Sequence, residues 1–452
     1  MTDISSEHMQ ICLNILQQCA DHPASIQNNP HLIRVIAKIY KSVRKHRKQQ
    51  HRQADQRLHA APASPASDGG PIINRDRPGK QGGTTRCYSC KQHYKDPHFF
   101  YSQLCVPCAA FNYEKRFQRA DLTGRCALIT GGRIKIGYQL ALRMLRDGAR
   151  VIVTTRFQHD AARRFQAEHD FDHWHDRLKI YGLDLRNIPA LDTFIKHLLR
   201  EEPGLDILVN NAAQTIKRPL AFYQSLIAHE QPSPSAVLAP GQGLAPPFHG
   251  ATALLEARAE YQGDLLPCPE YFPADLRDED GQQVDLRPVN SWILKLGEIS
   301  AIEMLEVQLA NVVAPFMLNS QLKPLMLQSG FPRRFIINVS AMEGQFNRAN
   351  KTVYHPHTNM AKAALNMMTR TAARDYAESQ IFMNSVDTGW ITDENPVPKQ
   401  VRLHHARGSR FSPPLDVIDG AARIYDPIVR GLSNPSEPLH GHFLKDYVAH
   451  PW

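Results

Sequence analysis

The stretch "LTGRCALITGGRIKIGYQLALRML", residues 122–145, decides how the chain is read. Cys126–Thr130 is a short apolar run that reads as a strand. Gly131 and Gly132 follow it, and Gly137 stands where a helix opens. A glycine-rich turn between strand and helix lets the backbone approach a diphosphate, and the helix N-terminus supplies N–H donors to it.

Further along, strands and helical stretches alternate. "RVIVTT" (150–155), "LKIYGLD" (178–184), "DILVNNA" (206–212), "RFIINVSA" (334–341), "IFMNSVD" (381–387) and "GHFLKDY" (441–447) read as strands. This order predicts an α/β fold with a parallel sheet over 119–452. Residues 218–296 interrupt it with a long insertion rich in Pro and Gly, read as a substrate lid or docking surface.

Further motifs follow the glycine turn in order: "NNAAQ" (210–214), Asn311 in "QLANVVAPF", Ser340 in "IINVSAMEG", Lys362 in "MAKAALNMM" and "DTGWIT" (387–392). On these residues the chain from about 121 to 450 resembles the short-chain dehydrogenase/reductase superfamily. That family carries T-G-x3-G-x-G, N-N-A-G, a helix asparagine, a strand-end serine, Tyr-x3-Lys and P-G-x3-T. The resemblance implies a doubly wound parallel-sheet Rossmann domain and a nicotinamide cofactor. It places that cofactor against Thr130, Gly131, Arg133, Lys135, Ile136, Gly137, Arg156, Asp184, Asn211, Ala212, Lys362, Thr388 and Gly389. Lys135 replaces the middle glycine, Ala213 the glycine of the second motif, and Thr388 the proline of the last. The second strand ends in Thr155–Arg156 rather than in an acid. A neutral residue followed by arginine favours the 2′-phosphate of NADP(H) over a ribose diol.

The resemblance also assigns catalysis to Asn311, Ser340 and Lys362, and there the pattern breaks. Four residues before Lys362, where the family has its proton-donating tyrosine, stands Thr358. A threonine hydroxyl is far less acidic and a whole ring shorter. Three nearby side chains are candidates to replace it: Tyr354, His355 and His357. In a continuous helix Tyr354 would lie about 12 Å along the axis from Lys362. Pro356, however, disfavours helix at His355, so the chain can fold back there. Histidine is a competent acid near neutral pH. His357, next to the vacant position, ranks first and Tyr354 second. The function expected is an NADP-dependent oxidoreductase acting on a carbonyl or alcohol, with an atypical site. The alternative is a non-catalytic NADP(H)-binding sensor or scaffold.

Upstream, "CYSCKQHYKDPHFFYSQLCVPC" sets Cys87, Cys90, Cys105 and Cys108 in C-x2-C-x14-C-x2-C spacing. Paired knuckles of this kind present four thiolates to a tetrahedral Zn2+. Four sulfurs complete the set without His93 or His98 and leave no open position, so the ion would be structural. Residues 87–118 are therefore expected to form a small four-cysteine, zinc-ribbon-like module. Before it, 59–86 is a linker rich in Pro, Gly, Ala and Ser. Residues 1–58 read as a helical hairpin, with Leu32, Val35, Ile36, Ile39, Tyr40 and Val43 as one apolar stripe.

The 452 residues exceed one ordinary core, and 42% hydrophobic with 21% charged residues is normal for a globular chain. The net charge of +9 is uneven: residues 1–120 hold 18 Lys+Arg against 8 Asp+Glu. The basic arm reads as a solvated helix face or as a site for an acidic partner. No run is read as a membrane span and no signal core is seen, so a cytoplasmic protein with reduced cysteines is expected. The resembled family further implies a homo-oligomer.

Overall fold

The computed structural model describes residues 85–230, 269–273, 275–278, 280–348, 351–401, 413–434, 436 and 438–452, together with 8, 10, 11 and 14. The expected helical hairpin, nearly all of the linker and much of the insertion lie outside them. The chain divides into two units, Met1–Pro71 and Ile72–Trp452. The second unit carries every strand found among the described residues.

Its described part opens with a short antiparallel pair, β1 (Thr85–Arg86) and β2 (His93–Tyr94), and α1 (Val106–Lys115) follows. The first cysteine pair sits between the strands; Cys105 caps α1 and Cys108 lies in its first turn. The backbone N–H of Cys105 donates to Cys87 Sγ at 3.3 Å, and the four sulfurs lie within 4.8 Å of one another.

The main sheet begins at β3 (Cys126–Thr130), wholly buried. It leads into α2 (Lys135–Arg146), which buries Leu140, Ala141, Met144 and Leu145 against the sheet and stops at Asp147, before the left-handed Gly148. Then come β4 (Arg150–Thr155), α3 (Gln158–Gln166), β5 (Leu178–Gly182), α4 (Ile188–Glu201), β6 (Ile207–Asn210) and α5 (Leu220–Glu230). After the insertion, α6 (Ala301–Gln308) passes through one π-helical turn, Leu309–Val313, into α7 (Ala314–Gln321) and the short α8 (Lys323–Leu327). β7 (Arg334–Ser340), α9 (Pro356–Glu378), β8 (Ile381–Asp387), α10 (Val417–Ser433), β9 (Phe443–Lys445) and β10 (Val448–His450) complete the chain.

The strand order is β10-β9-β8-β7-β6-β3-β4-β5, parallel throughout except for β10. It is a doubly wound sheet whose order reverses between β3 and β6, where such folds open a crevice beyond the strand ends. Two apolar layers cover its faces. One centres on α2 and α10, with Leu140, Met144, Phe165, Ile424 and Ile428; the other on α4 and α7, with Phe194, Leu198, Leu318 and Leu322. All seven strands expected from the sequence are present. The last differs from the single strand expected over 441–447. It stops at Lys445, and a turn at Asp446–Tyr447, both at positive φ, sends β10 back antiparallel.

The expectation that no run is fit to span a membrane is corrected at one helix. Ala301–Gln321 is long and apolar enough, by length and composition alone, to cross one. Half of its most apolar window is buried within the protein, as in a core helix.

Candidate active site

The glycine turn is stitched to the neighbouring strand. Thr130 Oγ1 accepts the backbone N–H groups of Asn211 and Ala212, both at 3.0 Å, while Asn211 Nδ2 donates to the carbonyls of Thr130 (3.0 Å) and Gly131 (3.2 Å). A Cβ at Gly137 would collide with the Gly131 carbonyl oxygen and Asn211 Nδ2, so only glycine fits. Lys135 adopts φ 55, the left-handed region that glycine occupies without cost. Its backbone thus takes a conformation that suits glycine better than a residue with a side chain. Its ammonium pulls against the burial that raises the Asp278 carboxyl, which puts the insertion beside the turn.

The turn after β3 and the end of β4 each carry an engaged arginine. Arg133 pairs with Asp160 (2.6 Å) and donates to Gln282 Oε1 (3.0 Å) in the insertion. Arg156 donates to the Tyr223 hydroxyl at 3.0 Å and lies 4.8 Å over its ring. Asp184 is buried, and Arg186 clamps its carboxylate through Nε at 2.9 Å. Burial would raise this acid, but the Arg186 contacts outweigh it and hold it below the usual range.

Two of the catalytic candidates, Ser340 and Lys362, meet at the end of β7. Ser340 is 3% exposed, and its Oγ has no hydrogen-bond partner among the described residues. Lys362 Nζ donates to the carbonyl of Val339, the residue before that serine, at 2.7 Å. Burial pulls the Lys362 ammonium down to about 8, against the pull of Glu343. Asn311 sits in the π-helical turn and holds Gln214 on both sides: its Oδ1 accepts the Gln214 N–H (2.7 Å) and its Nδ2 donates to the Gln214 carbonyl (3.1 Å).

The residues near the missing tyrosine take three directions. His355 has φ 43 and precedes Pro356 at the start of α9, the position where proline suits a helix. Its ring stacks on Trp292, centroids 3.9 Å apart and 6° from parallel. Its Nδ1 lies 3.1 Å from Thr358 Oγ1, which itself donates to the His355 carbonyl at 2.9 Å. Burial drives the His355 pKa down to about 4, so the ring is neutral. His357 instead carries Nε2 to 3.3 Å from Glu303 Oε1 on α6. Burial works against Glu303, yet the contacts from His357 and Ser291 hold its carboxyl below the usual range. Tyr354 has Lys399 Nζ 5.4 Å from its ring.

Three further residues touch or act on these side chains. Glu343 follows Ser340 by three, in a short turn that packs so tightly on α9 that a Cβ at Gly344 would collide with the backbone of Lys362. Its charge acts on Lys362, His355 and Asp387. Asp387 pairs in register with Ser340 at the parallel strand ends, and burial raises its carboxyl. Trp292, from the insertion, supplies the face on which His355 rests. Only Glu343 carried a local signal, its spacing from Ser340.

Two family models match the chain, short chain dehydrogenase over residues 125–226 and Enoyl-(Acyl carrier protein) reductase over 293–403. The chain belongs to the short-chain dehydrogenase/reductase superfamily. An uncharacterized protein of Acanthamoeba polyphaga mimivirus is 32% identical over 355 residues, 76% of this chain and 71% of the relative. Mouse Retinol dehydrogenase 14 is 36% identical over 101 residues, 20% of this chain, and the match spans 29% of that protein. An uncharacterized oxidoreductase of Schizosaccharomyces pombe is 35% identical over 112 residues, which cover 25% of this chain and 31% of the relative. Among solved structures, a short chain dehydrogenase from Salmonella enterica serovar Typhi matches with a TM-score of 0.46 at 19% identity, covering 73% of this chain and 99% of that one. One from Burkholderia cenocepacia, in complex with NADP, matches with 0.45 at 18%, covering 72% and 97%. Within this short-chain dehydrogenase/reductase, the sheet and the order of motifs follow the family. The departures lie at Lys135, Ala213, Thr358, Thr388 and the insertion.

Proposed function

We propose that this protein is an NADP(H)-dependent oxidoreductase that interconverts an alcohol and a carbonyl, with a Thr358–His355 pair in place of the family's tyrosine. The observation that carries the reading is the buried, unpartnered Ser340 Oγ beside the strand-end carbonyl that anchors Lys362. A buried hydroxyl without a partner is costly, which favours a ligand oxygen as its missing partner.

The glycine turn fits a dinucleotide, since Gly131 and Gly137 let it close on Ala212 and Asn211 and lead its backbone N–H groups into the start of α2. Gly131, Lys135, Ile136 and Gly137 would hold the diphosphate, Arg156 the 2′-phosphate, Asp184, Asn211 and Ala212 the adenosine side, and Lys362, Thr388 and Gly389 the nicotinamide end. When bound, NADPH supplies the hydride for the carbonyl carbon. Ser340 orients the carbonyl oxygen. The proton for that oxygen comes from the Thr358 hydroxyl, and His355 Nδ1 restores it. A neutral imidazole does this as a relay, taking up a proton from solvent at Nε2 as Nδ1 releases one, so that reduction consumes one solvent proton. His357 and Tyr354 remain the competing donors, separated from this reading by mutation. In the alcohol direction the same steps run backwards.

NADPH titration and turnover against a carbonyl panel test this. Ser340→Ala and His355→Phe should cut turnover by about 100-fold or more, in the range of a lost general acid–base or orienting group, with NADPH affinity within about threefold. Cofactor binding with no hydride transfer in any direction would instead support the sensor reading, which the weak acidity of Thr358 favours. The four thiols fit one structural Zn2+ by their mutual distances. Metal analysis of a zinc-replete preparation should give about one equivalent per chain.

A further inference from the structure

We infer that the four-cysteine module is a clamp on the loop that follows β8, with Tyr88 as its positioning residue, so that the metal governs how tightly the cofactor's nicotinamide end is held. The inference rests on the reading above that Thr388 and Gly389 border that end.

Tyr88 lies between two of the cysteines, and its hydroxyl accepts the backbone N–H of Trp390 at 2.8 Å. The carbonyl of Thr388, two residues earlier, accepts from Arg423 Nη1 at 3.0 Å. Arg423 is 2% exposed and donates through Nη2 to Asn112 Oδ1 on α1 (3.1 Å) and to Asp446 (2.6 Å). The loop is thus gripped at two backbone groups, the Thr388 carbonyl and the Trp390 N–H. One grip is a module side chain; the other is an arginine that the module helps to fix.

Gly389 sits between the grips at φ +81, and a Cβ there would collide with Arg423 Nη1. The loop can therefore take this path beside Arg423 only as glycine. Ile391 continues the contact by packing on the module's own core of Cys87, Tyr101, Leu104 and Ala109. The module is tied down on α10 by Arg116 to Asp416 (2.7 Å) and Asp419 (2.9 Å), while Tyr101 donates to Asp419. Nothing in this arrangement has the module touch substrate. Its thiols set the two ends of the Tyr88 knuckle, and that knuckle sets Trp390.

The test uses the full chain, zinc-replete, with NADPH and zinc as the probes. Tyr88→Phe removes the acceptor and leaves the ring. It should keep one zinc equivalent while exchange at the Trp390 amide speeds up. The KM for NADPH should rise about three- to tenfold, the worth of one hydrogen bond, with little change in kcat. Stripping zinc with a chelator from the wild type should move both readouts the same way, and restoring zinc should reverse them. Unchanged exchange and unchanged KM, in the variant or on zinc removal, would overturn the clamp. Should Tyr88→Phe fail to fold, Asn112→Ala, which frees Arg423 from the module, gives the same readouts. If no form binds NADPH, the cofactor reading fails, while amide exchange alone still decides the coupling: a Trp390 amide indifferent to zinc overturns it.

Discussion

His355 shows how one buried side chain ties chemistry to stability. Burial lowers its folded-state pKa to about 4, against about 6.5 for a free histidine. Between those values the unfolded chain binds the proton and the folded one does not. Stability therefore falls as pH drops from about 6.5 towards about 4. Glu343, His357, Lys351 and Thr358 face or act on this ring, and Trp292 covers it, so the window belongs to a cluster. His355→Phe should flatten the dependence of the melting temperature on pH within that window. An unaltered slope would show that another group sets it. Lys362 makes the complementary case. Its pKa is lowered to about 8, so the unfolded chain holds the extra proton from there up to the free value. The cofactor-free protein should gain stability as pH rises from about 8, and Lys362→Met should abolish that gain.

At the scale of elements, the π-helical turn between α6 and α7 stands out. Its bulge places Asn311 so that one side-chain amide satisfies both polar groups of the Gln214 peptide at the end of β6. Asn311→Ala should leave that N–H and C=O unpaired in a part-buried site and cost about 1–3 kcal/mol, measurable by denaturant unfolding. Asn311→Asp, which keeps one of the two bonds, should cost less. Much of this is legible in the sequence: the strands are continuous apolar runs, and Ser340, Asn311 and Lys362 each sit in a local motif. Other parts are out of its reach. Asp387 faces the site only because its strand pairs in register with Ser340. Trp292 and His355 are 63 residues apart in the chain and meet only through the path of the insertion. Proximity in sequence favours His357 as the tyrosine's substitute, but successive residues on a helix point about 100° apart. The structure turns His357 to Glu303 and leaves His355 on Thr358.

At the scale of the molecule, α6, α7 and α9 leave Leu305, Phe316, Met360 and Met367 each more than half exposed. We propose these exposed apolar side chains as an association surface. A second copy of this chain is the occupant proposed, buried through the same helices on each side. Light scattering at micromolar concentration should give a dimer or tetramer. Phe316→Glu with Met367→Glu should give a smaller species that keeps its zinc and its fold. A monomeric wild type would remove the proposal.

The face-to-face packing of Trp292 on His355 gives the protein a built-in optical reporter. An indole stacked on an imidazole loses emission when that ring gains a proton, because the imidazolium accepts an electron from the excited indole. The chain holds four tryptophans: Trp174 is locked in the core, Trp390 and Trp452 lie elsewhere, and Trp292 rests face to face on a titrating ring. Subtracting the fluorescence of Trp292→Phe from that of the wild type should isolate one indole. The acid quench of that difference, with its midpoint near about 4, would read the charge of His355 directly. On the proposed reading, an alcohol or carbonyl that bonds to Thr358 should shift that midpoint, so ligands could be screened by light before any turnover is measured.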